Sequence, residues 1–272
     1  MKVKTVFFSP TGTTKAVVSQ IANVIVKDTG ARICEIDITP LAQRMENLVF
    51  TAEDLVIVGV PVYAGRVPNI LLNYLMAMKG NNARAVAVVL YGNRSFDNAL
   101  KELGQILDDD GFQVIGAGAF IGEHAFSDLL AAGRPNEEDF IEAKELAIVA
   151  RNRWQSKDVG RVEIPGNESL LGYYQPHDDK GKAINILKVK PKVNEHCDGC
   201  GRCVKLCPMA SIKAQDVREY QGICIKCGAC MKRCPQQARY IDDAGYLYHK
   251  QELEEQYADS KKSVIYTGWE GN

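Results

Sequence analysis

Eight of the nine cysteines stand in two runs of identical spacing, residues 197–208 and 224–235. Each run reads C-x2-C-x2-C-x3-C-P. Three thiolates spaced two residues apart on a tight loop can wrap three corners of a cubane iron–sulfur cluster. The proline after the fourth cysteine fixes φ and cannot continue a hydrogen-bonded run, so the chain turns away there. The sequence therefore predicts two [4Fe–4S] clusters.

Two other uses of cysteine compete with this interpretation. A zinc site would also use C-x2-C pairs, but tetrahedral zinc has no use for the third cysteine and the C-P of each run. A disulfide framework needs an oxidising compartment, and nothing in the sequence indicates export. The ninth cysteine, Cys34, lies alone in an alternating apolar segment and is predicted to be a packed strand residue.

The spacing of both runs resembles that of bacterial two-cluster ferredoxins, in which the fourth cysteine of each run ligates the other cluster. The resemblance implies two ligand sets. The first cluster would be held by Cys197, Cys200, Cys203 and Cys234. The second cluster would be held by Cys224, Cys227, Cys230 and Cys207.

Strand and helix patterns alternate in the part of the chain before the cysteines. Near-continuous apolar segments predict five strands, at 2–8, 32–38, 54–60, 84–91 and 112–120. Helical patterns separate the strands, and the last predicted helix covers 136–154. Such strands indicate a parallel sheet covered on both faces, with ligands beyond the carboxyl ends of the strands. The loops that follow the strands are therefore the candidate binding segments.

Hydroxyl side chains crowd the turn between the first strand and the first helix. Backbone N–H groups and hydroxyls meet at such a turn, and the helix dipole favours negative charge, so the turn can bind an anion. The competing interpretation is a well-capped helix, since Ser and Thr are good N-caps. More hydroxyls are present than one cap can use, namely Ser9, Thr11, Thr13 and Thr14.

Aromatic side chains follow the third and fourth predicted strands, at Tyr63 and Phe96. Two aromatics facing one cleft could sandwich a flat ring, although capping the core is the commoner role of any one aromatic. Together with the hydroxyl-rich turn, this pattern resembles the flavodoxin family over roughly residues 1–155. The resemblance implies an α/β fold, a doubly wound parallel five-stranded sheet of order 2-1-3-4-5, with FMN as the cofactor.

The resemblance also implies which residues contact FMN. The phosphate would be held by Ser9, Thr11, Gly12, Thr13 and Thr14. One side of the isoalloxazine would be flanked by Pro61, Val62 and Tyr63. Main-chain contacts to the ring edge and the opposite face would come from Gly92, Asn93, Arg94 and Phe96.

Two departures from the flavodoxin pattern affect the ring site. Many flavodoxins carry Trp in the second loop and Tyr in the third, where Tyr63 and Phe96 stand here. Arg94 places a cation where flavodoxins are typically acidic, which should raise the potential of the flavin. His124, at the end of the fifth strand, either reaches the flavin or is an ordinary loop histidine.

The chain is predicted to contain three parts. A flavodoxin-like FMN-binding domain covers 1–156, a linker that packs onto a domain covers 157–187, and a small α+β two-[4Fe–4S] ferredoxin-like domain covers 188–272. Residues 182–189 are predicted as a strand, and residues 242–245 as the turn of a hairpin. The acidic tail from Gln251 is predicted to be helical.

Composition is typical of a globular protein: 272 residues, 46% hydrophobic, 25% charged, net charge −1. No apolar run reaches the roughly 18 residues that a membrane helix needs, and the first apolar segment is too short for a signal peptide. A cytoplasmic location is therefore predicted. The cluster region is basic, which fits compensation of cluster charge better than docking of an acidic partner. Nucleic-acid binding is not expected, because no interleaved aromatics accompany the charge.

A flavin takes one or two electrons and a cluster carries one at a time, so both on one chain would make a short relay. The whole chain resembles flavodoxin–ferredoxin fusion proteins, also called EFR1-family ferrodoxins, found largely in anaerobes. The resemblance implies electron transfer to or from a partner redox protein, with FMN and two [4Fe–4S] clusters in series. The alternatives are an FMN-dependent reductase of a small organic acceptor, using Arg94 and His124, and a zinc protein whose flavodoxin-like half is empty. Enzymatic activity and homo-oligomerisation stay open.

Overall fold

A computed structural model describes residues 2–156, 160–167 and 169–268. Its main sheet begins with five parallel strands: β1 (Lys2–Phe7), β2 (Arg32–Asp37), β3 (Asp54–Pro61), β4 (Arg84–Tyr91) and β5 (Gln113–Ile121). They lie in the order β2-β1-β3-β4-β5. This is the order of flavodoxin-like doubly wound sheets, so the predicted fold of the first half is confirmed.

Helices cover both faces of this sheet. They are α1 (Thr13–Thr29), α2 (Asn69–Leu75), α3 (Ala99–Asp109) and α4 (Glu137–Gln155). Alternate residues of a strand point to opposite faces. Leu55 and Ile57 of β3 accordingly pack in one core with α1 and α4, whereas Val56 and Val58 pack in the other core with α2 and α3. Burial on both faces explains why β3, β4 and β5 are apolar at nearly every position.

The cysteine-rich part has short elements and long loops. Two helices follow glycines in the cysteine runs, α5 (Arg202–Leu206) and α6 (Ala229–Lys232). The strands β6 (Lys192–Val193) and β7 (Arg239–Tyr240) form a small antiparallel pair on either side of the runs. This pair brings the two ends of the cysteine-rich part together.

The end of the described chain returns to the main sheet. After α7 (Ala244–Gln256), β8 (Val264–Tyr266) pairs antiparallel with β5 and adds a sixth strand at the sheet edge. This strand was not predicted from the sequence, and the domain limits stay a prediction. No helix among the described residues is long and apolar enough to cross a membrane.

Three local predictions were wrong. Residues 242–245 do not form a hairpin turn, because Asp243 caps α7 by accepting a hydrogen bond from the Tyr246 N–H at 2.9 Å. No strand forms at 182–189, where Ala183 makes an isolated bridge with His177 and the chain turns at 187–188. Cys34 is exposed rather than packed, because β2 is the edge strand of the sheet. The predicted helical tail is confirmed as far as Gln256, although the helix begins earlier, at Ala244.

Candidate functional site

The first cysteine run forms a loop that leads into α5 and borders a cavity. The cavity measures about 330 Å³, counting space open to solvent, and we call it the outer cavity. Its wall contains four cysteines: Cys197, Cys200, Cys203 and Cys234. Gly199 and Gly201 bend the loop at φ values of 74° and 68°, which glycine adopts without steric cost. Cys200 is exposed to solvent.

The second run folds in the same way and leads into α6. It borders the inner cavity, of about 450 Å³ counted likewise. The wall contains the other four cysteines of the runs: Cys207, Cys224, Cys227 and Cys230. Burial raises the pKa of the Cys227 and Cys230 thiols to about 12, so neither thiol ionises alone at neutral pH. Metal binding removes the proton from such a thiol.

Each cavity therefore collects three cysteines of one run and the last cysteine of the other. Backbone N–H groups hold those last cysteines in place. The N–H of Ser211 donates to Cys207 Sγ at 3.3 Å, and that of Ala238 donates to Cys234 Sγ at 3.4 Å. The two sites are thus built by the same local geometry, used twice.

The spacing of the thiols bears on the choice between zinc and a cluster. Within residues 2–156, 160–167 and 169–268, no three His, Cys, Asp or Glu side chains converge closely enough to hold a single metal ion. Tetrahedral zinc needs every sulfur at about 2.3 Å from one point. A cubane instead spreads its four thiolates over separate corners and needs no such convergence on one point. Ligation of clusters by these cysteines stays a prediction.

The hydroxyl-rich turn lies between β1 and α1. Ser9 and Thr14 are buried, and Gly12 stands before the helix with φ 102°. Ser9 Oγ accepts a hydrogen bond from the Lys15 N–H at 2.9 Å, so one hydroxyl does cap the helix. Thr11 and Thr13 are half-buried, with their hydroxyl oxygens 3.4 Å apart. The donors of this turn and the free N–H groups of a helix start fit a phosphate.

The loop after β3 makes a tight turn around Tyr63. The Tyr63 N–H donates to the Arg66 carbonyl at 3.0 Å, and the Arg66 N–H donates back to the Tyr63 carbonyl at 3.1 Å. Burial raises the pKa of the Tyr63 phenol well above its ordinary value, and the nearby thiols of Cys227 and Cys224 raise it further. Tyr63 therefore lies beside the inner cavity as well as in the second predicted flavin loop.

The loop after β4 uses its side chains for packing within the protein. Asn93 is buried, and its amide group donates to the carbonyls of Tyr257 and Asp259 at 2.7 and 2.9 Å. Phe96 packs on Tyr91 in the core, with ring centroids 5.4 Å apart. The Arg94 N–H donates to the Gly92 carbonyl at 2.9 Å, and the Asn93 side chain anchors the segment that follows α7.

Comparison with known proteins identifies the cysteine-rich part. Residues 196–239 match the family of 4Fe-4S dicluster domains. The chain joins a flavodoxin-like fold to a 4Fe-4S dicluster domain. This pairing indicates electron transfer. The flavodoxin-like half hereafter means residues 2–156, and the dicluster domain means residues 196–239.

No curated protein matches the chain. Among solved structures, a flavodoxin from the domain Archaea is 18% identical, covering 57% of this chain and 100% of its own, with a TM-score of 0.42. Oxidised flavodoxin 2 from Bacillus cereus is 16% identical, covering 56% and 98%, with a TM-score of 0.41. The apo form of an NADH:FMN oxidoreductase (EMOB) is 15% identical, covering 56% and 88%, with a TM-score of 0.41. At these TM-scores the similarity supports no conclusion beyond the fold that the strand order already shows.

The dicluster domain packs on the loops at the carboxyl ends of the strands. Ile225, between the first two cysteines of the second run, packs against the same core as Tyr63. A Cβ on Gly228 would lie 2.6 Å from the Ala125 carbonyl oxygen, so this glycine allows the close approach of α6 to the loop after β5. Lys232 donates to the Ser127 carbonyl in that loop and pairs with Asp128 at 3.0 Å. The inner cavity is thus adjacent to the predicted flavin loops.

Arg94 and His124 are engaged by their surroundings. Arg94 pairs with Asp97, and its guanidinium lies 4.4 Å from the ring centroid of Tyr174. His124 packs against Gly92, and its Nδ1 accepts from the Phe126 N–H at 3.2 Å. Burial lowers the pKa of His124 to about 4, so the ring is neutral at neutral pH. Asp97 neutralises the cation that the sequence analysis expected beside the flavin.

A segment of the linker covers the same loops. The N–H of Tyr174 donates to the Ala64 carbonyl at 2.9 Å, and the Tyr173 hydroxyl donates to the Val67 carbonyl at 2.8 Å. The Leu171 carbonyl accepts from Arg66 at 2.5 Å. The linker packs onto a domain as predicted, but its aperiodic sequence pattern could not indicate where.

Three residues near the sites escaped the sequence analysis. Thr39, after β2, accepts a hydrogen bond from the Ser9 N–H at 2.8 Å and so supports the hydroxyl-rich turn. Lys226 lines the inner cavity, and Tyr246 of α7 has a buried hydroxyl with no partner among the described residues. Only Lys226 had a visible signal, since it stands between two cysteines of a run.

Proposed function

We propose that this protein holds FMN and two [4Fe–4S] clusters and relays electrons between them and a partner redox protein. Bound FMN would supply chemistry of one or two electrons, and each cluster that of one. The packing of the inner cavity on the loops after β3 and β5, through Ile225 and Gly228, carries this proposal. That contact supports electron exchange inside one chain.

The hydroxyl-rich turn would hold the FMN phosphate. Its donors fit a dianion, and the start of α1 adds the favourable end of the helix dipole. The residues in this role are Ser9, Thr11, Gly12, Thr13 and Thr14. Tyr63, with Pro61 and Val62, would orient the ring from the loop after β3. The backbone of Gly92–Phe96 would face the ring from the loop after β4, with Asn93 and Arg94 held by their own partners.

The thiols of the outer cavity would hold one cluster and those of the inner cavity the other, in the sets implied by the resemblance to two-cluster ferredoxins. Cys200 is exposed, whereas the inner cavity faces the flavodoxin-like half. The partner protein would therefore exchange electrons at the outer cluster. A cytoplasmic location is part of this proposal.

The reductase alternative draws no support from the site. It would use Arg94 and His124 as polar groups toward a small acceptor. Arg94 is committed to Asp97 and Tyr174, and His124 is neutral and packed against Gly92. Neither group is free to polarise or protonate an acceptor in this arrangement.

Anaerobic purification followed by metal and flavin analysis tests the proposal. We expect about eight iron atoms and one FMN per chain, and EPR signals of reduced clusters after dithionite. Zinc in place of iron, or a chain that binds no flavin, would overturn it.

A substitution tests the phosphate site separately. Thr11→Val should weaken FMN binding by about 1.5–3 kcal/mol, because it removes a hydroxyl donor to a charged group. Thr29→Val, at the other end of α1, is the matched control, since that hydroxyl donates to the Ile25 carbonyl at 3.0 Å and accepts from the Ala31 N–H at 3.3 Å. Flavin fluorescence titration of the apoprotein measures both affinities. Equal affinities in the two variants would contradict the assignment.

A further inference from the structure

The two cysteine runs differ at one equivalent position. The second residue between the first two cysteines is Gly199 in the first run and Lys226 in the second. Both have positive φ, 74° and 54° respectively. Positive φ is uncommon for residues other than glycine, and lysine is not among the residues enriched there. A lysine at this position therefore needs a compensating role.

The Lys226 side chain is drawn into the protein. The residue is 7% exposed, and its ammonium donates to the Cys224 carbonyl at 2.9 Å and to the Leu187 carbonyl. None of the described carboxylates pairs with it. Among the residues that line the inner cavity, Lys226 is the one charged side chain. A buried cation thus stands at the wall of this cavity without a counter-ion.

The charges around the outer cavity are arranged differently. Asp198 and Arg202 carry opposite charges, and solvent screens both charges because the two side chains are exposed. Arg239 is buried, and it donates to the Tyr220 hydroxyl at 2.9 Å. Since Arg239 lines the outer cavity and Tyr220 the inner one, this cation acts on both sites. Lys226 is the buried charge that distinguishes the inner cavity.

We infer that Lys226 raises the reduction potential of the inner cluster relative to that of the outer cluster. The inference rests on the proposed function. Reduction adds one electron and one negative charge to a cluster, and a nearby buried cation stabilises that charge. Burial of the inner site away from water acts in the opposite sense, so Lys226 supplies stabilisation that solvent provides at the exposed site. An electron on the inner cluster, beside the flavodoxin-like half, would then be held more tightly than it would be without Lys226.

An EPR-monitored redox titration of the full chain, loaded with both clusters, tests the inference. Lys226→Gly copies Gly199 and relieves the positive φ, and Lys226→Asn is a second uncharged variant with a residue that tolerates this backbone. Each should lower one midpoint potential by about 59 mV or more, a tenfold change in the one-electron equilibrium constant, and leave the other unchanged. Lys226→Arg should keep both midpoints near the wild-type values, because it retains the charge.

Lys205→Gln is the matched control. Lys205 is exposed, and it stands two residues before Cys207 as Lys226 stands two residues after Cys224. Solvent should screen its charge, so the midpoints should not move. Unmoved midpoints in both uncharged variants, or a drop in Lys226→Arg as large as in Lys226→Gly, would overturn the inference. A wild-type chain that lacks two clusters' worth of iron would instead overturn the proposed function.

Discussion

The flavodoxin-like half buries large side chains that the dicluster domain lacks. Phe7, Phe8, Phe50, Phe112 and Phe120 are almost fully buried, and all lie in the first half. In the dicluster domain the buried apolar side chains are few and smaller: Ile212, Val217, Ala229 and Ala238. The flavodoxin-like half is therefore stabilised by apolar burial on both faces of its sheet. We therefore expect the dicluster domain to need its cofactors and its contacts with the flavodoxin-like half to hold its loops in place.

Removing one cysteine of the inner cavity should have the largest effect, and it should affect the dicluster domain without affecting the main sheet. Cys227→Ala should abolish the inner cluster and the protection of backbone amides from hydrogen exchange across 192–240. Protection in β1 to β5 should persist, because that sheet does not depend on the metal. Hydrogen-exchange mass spectrometry measures both regions. Cys34→Ala is the control, since that thiol is exposed on the edge strand. Unchanged protection across 192–240 would mean that the dicluster domain folds without its metal.

A cavity in the core of the flavodoxin-like half should lower the stability of the protein without affecting the clusters. Ile57→Ala should cost about 2–5 kcal/mol of unfolding free energy, because Ile57 is fully buried between β3 and its covering helices. Denaturant unfolding of the loaded protein measures the loss, and iron analysis should show both clusters retained. Ile141→Ala, at a position 58% exposed on α4, should stay within about 0.5 kcal/mol of wild type. Equal losses in the two variants would contradict the assigned core.

The contact of Ser263 with the flavodoxin-like half should make a smaller, pH-dependent contribution to the unfolding free energy. Ser263 donates to buried Asp139 at 2.5 Å, and Arg134 pairs with the same carboxylate. Burial by itself would raise the pKa of Asp139, but hydrogen bonds from Arg134, Ser263 and the backbone outweigh it and lower the pKa below its ordinary value. The stabilisation is present above the ordinary pKa of about 3.9 and is lost as the pH falls below it.

Ser263→Ala should therefore cost about 1–3 kcal/mol at pH 7 and progressively less as the pH falls below the ordinary pKa of about 3.9 and through the lowered pKa of the folded carboxyl. Unfolding free energies of both proteins across this pH range test the prediction. Ser260→Ala offers a comparison, because its hydroxyl contacts Arg134 rather than the carboxylate. A cost that does not change with pH would show that Ser263 acts through packing alone.

The smallest expected effect concerns Tyr246. Its buried hydroxyl has no partner among the described residues. Burial raises the pKa of this hydroxyl, and the nearby thiols of Cys224 and Cys230 raise it further. In the loaded protein this hydroxyl would be free to donate a hydrogen bond toward the group held by those thiols. Tyr246→Phe should then lower one cluster midpoint by less than the roughly 59 mV of a tenfold change. Tyr248→Phe, exposed on the same helix, should leave both midpoints unchanged.

Local pattern was enough to predict most elements of the flavodoxin-like half. The strand at Arg84–Tyr91 matches its predicted limits, and the other strands and the last helix differ by one or two residues at their ends. Both faces of β3, β4 and β5 are buried, so apolar runs and turn residues mark their boundaries. The hairpin predicted at 242–245 was wrong because an Asp followed by Ala and Gly is also a helix start, and local sequence does not separate the two.

The amino-acid sequence by itself determined the two cysteine runs, the hydroxyl-rich turn and the order of strands and helices, because spacing and periodicity are local properties. Only the tertiary structure decided that the dicluster domain packs on the loops after β3 and β5, and that β8 joins the first sheet. Such contacts join residues more than a hundred positions apart, such as Ala125 with Gly228 and Asn93 with Tyr257. They depend on shape and on which polar groups the fold leaves exposed, and neither is written in a local pattern.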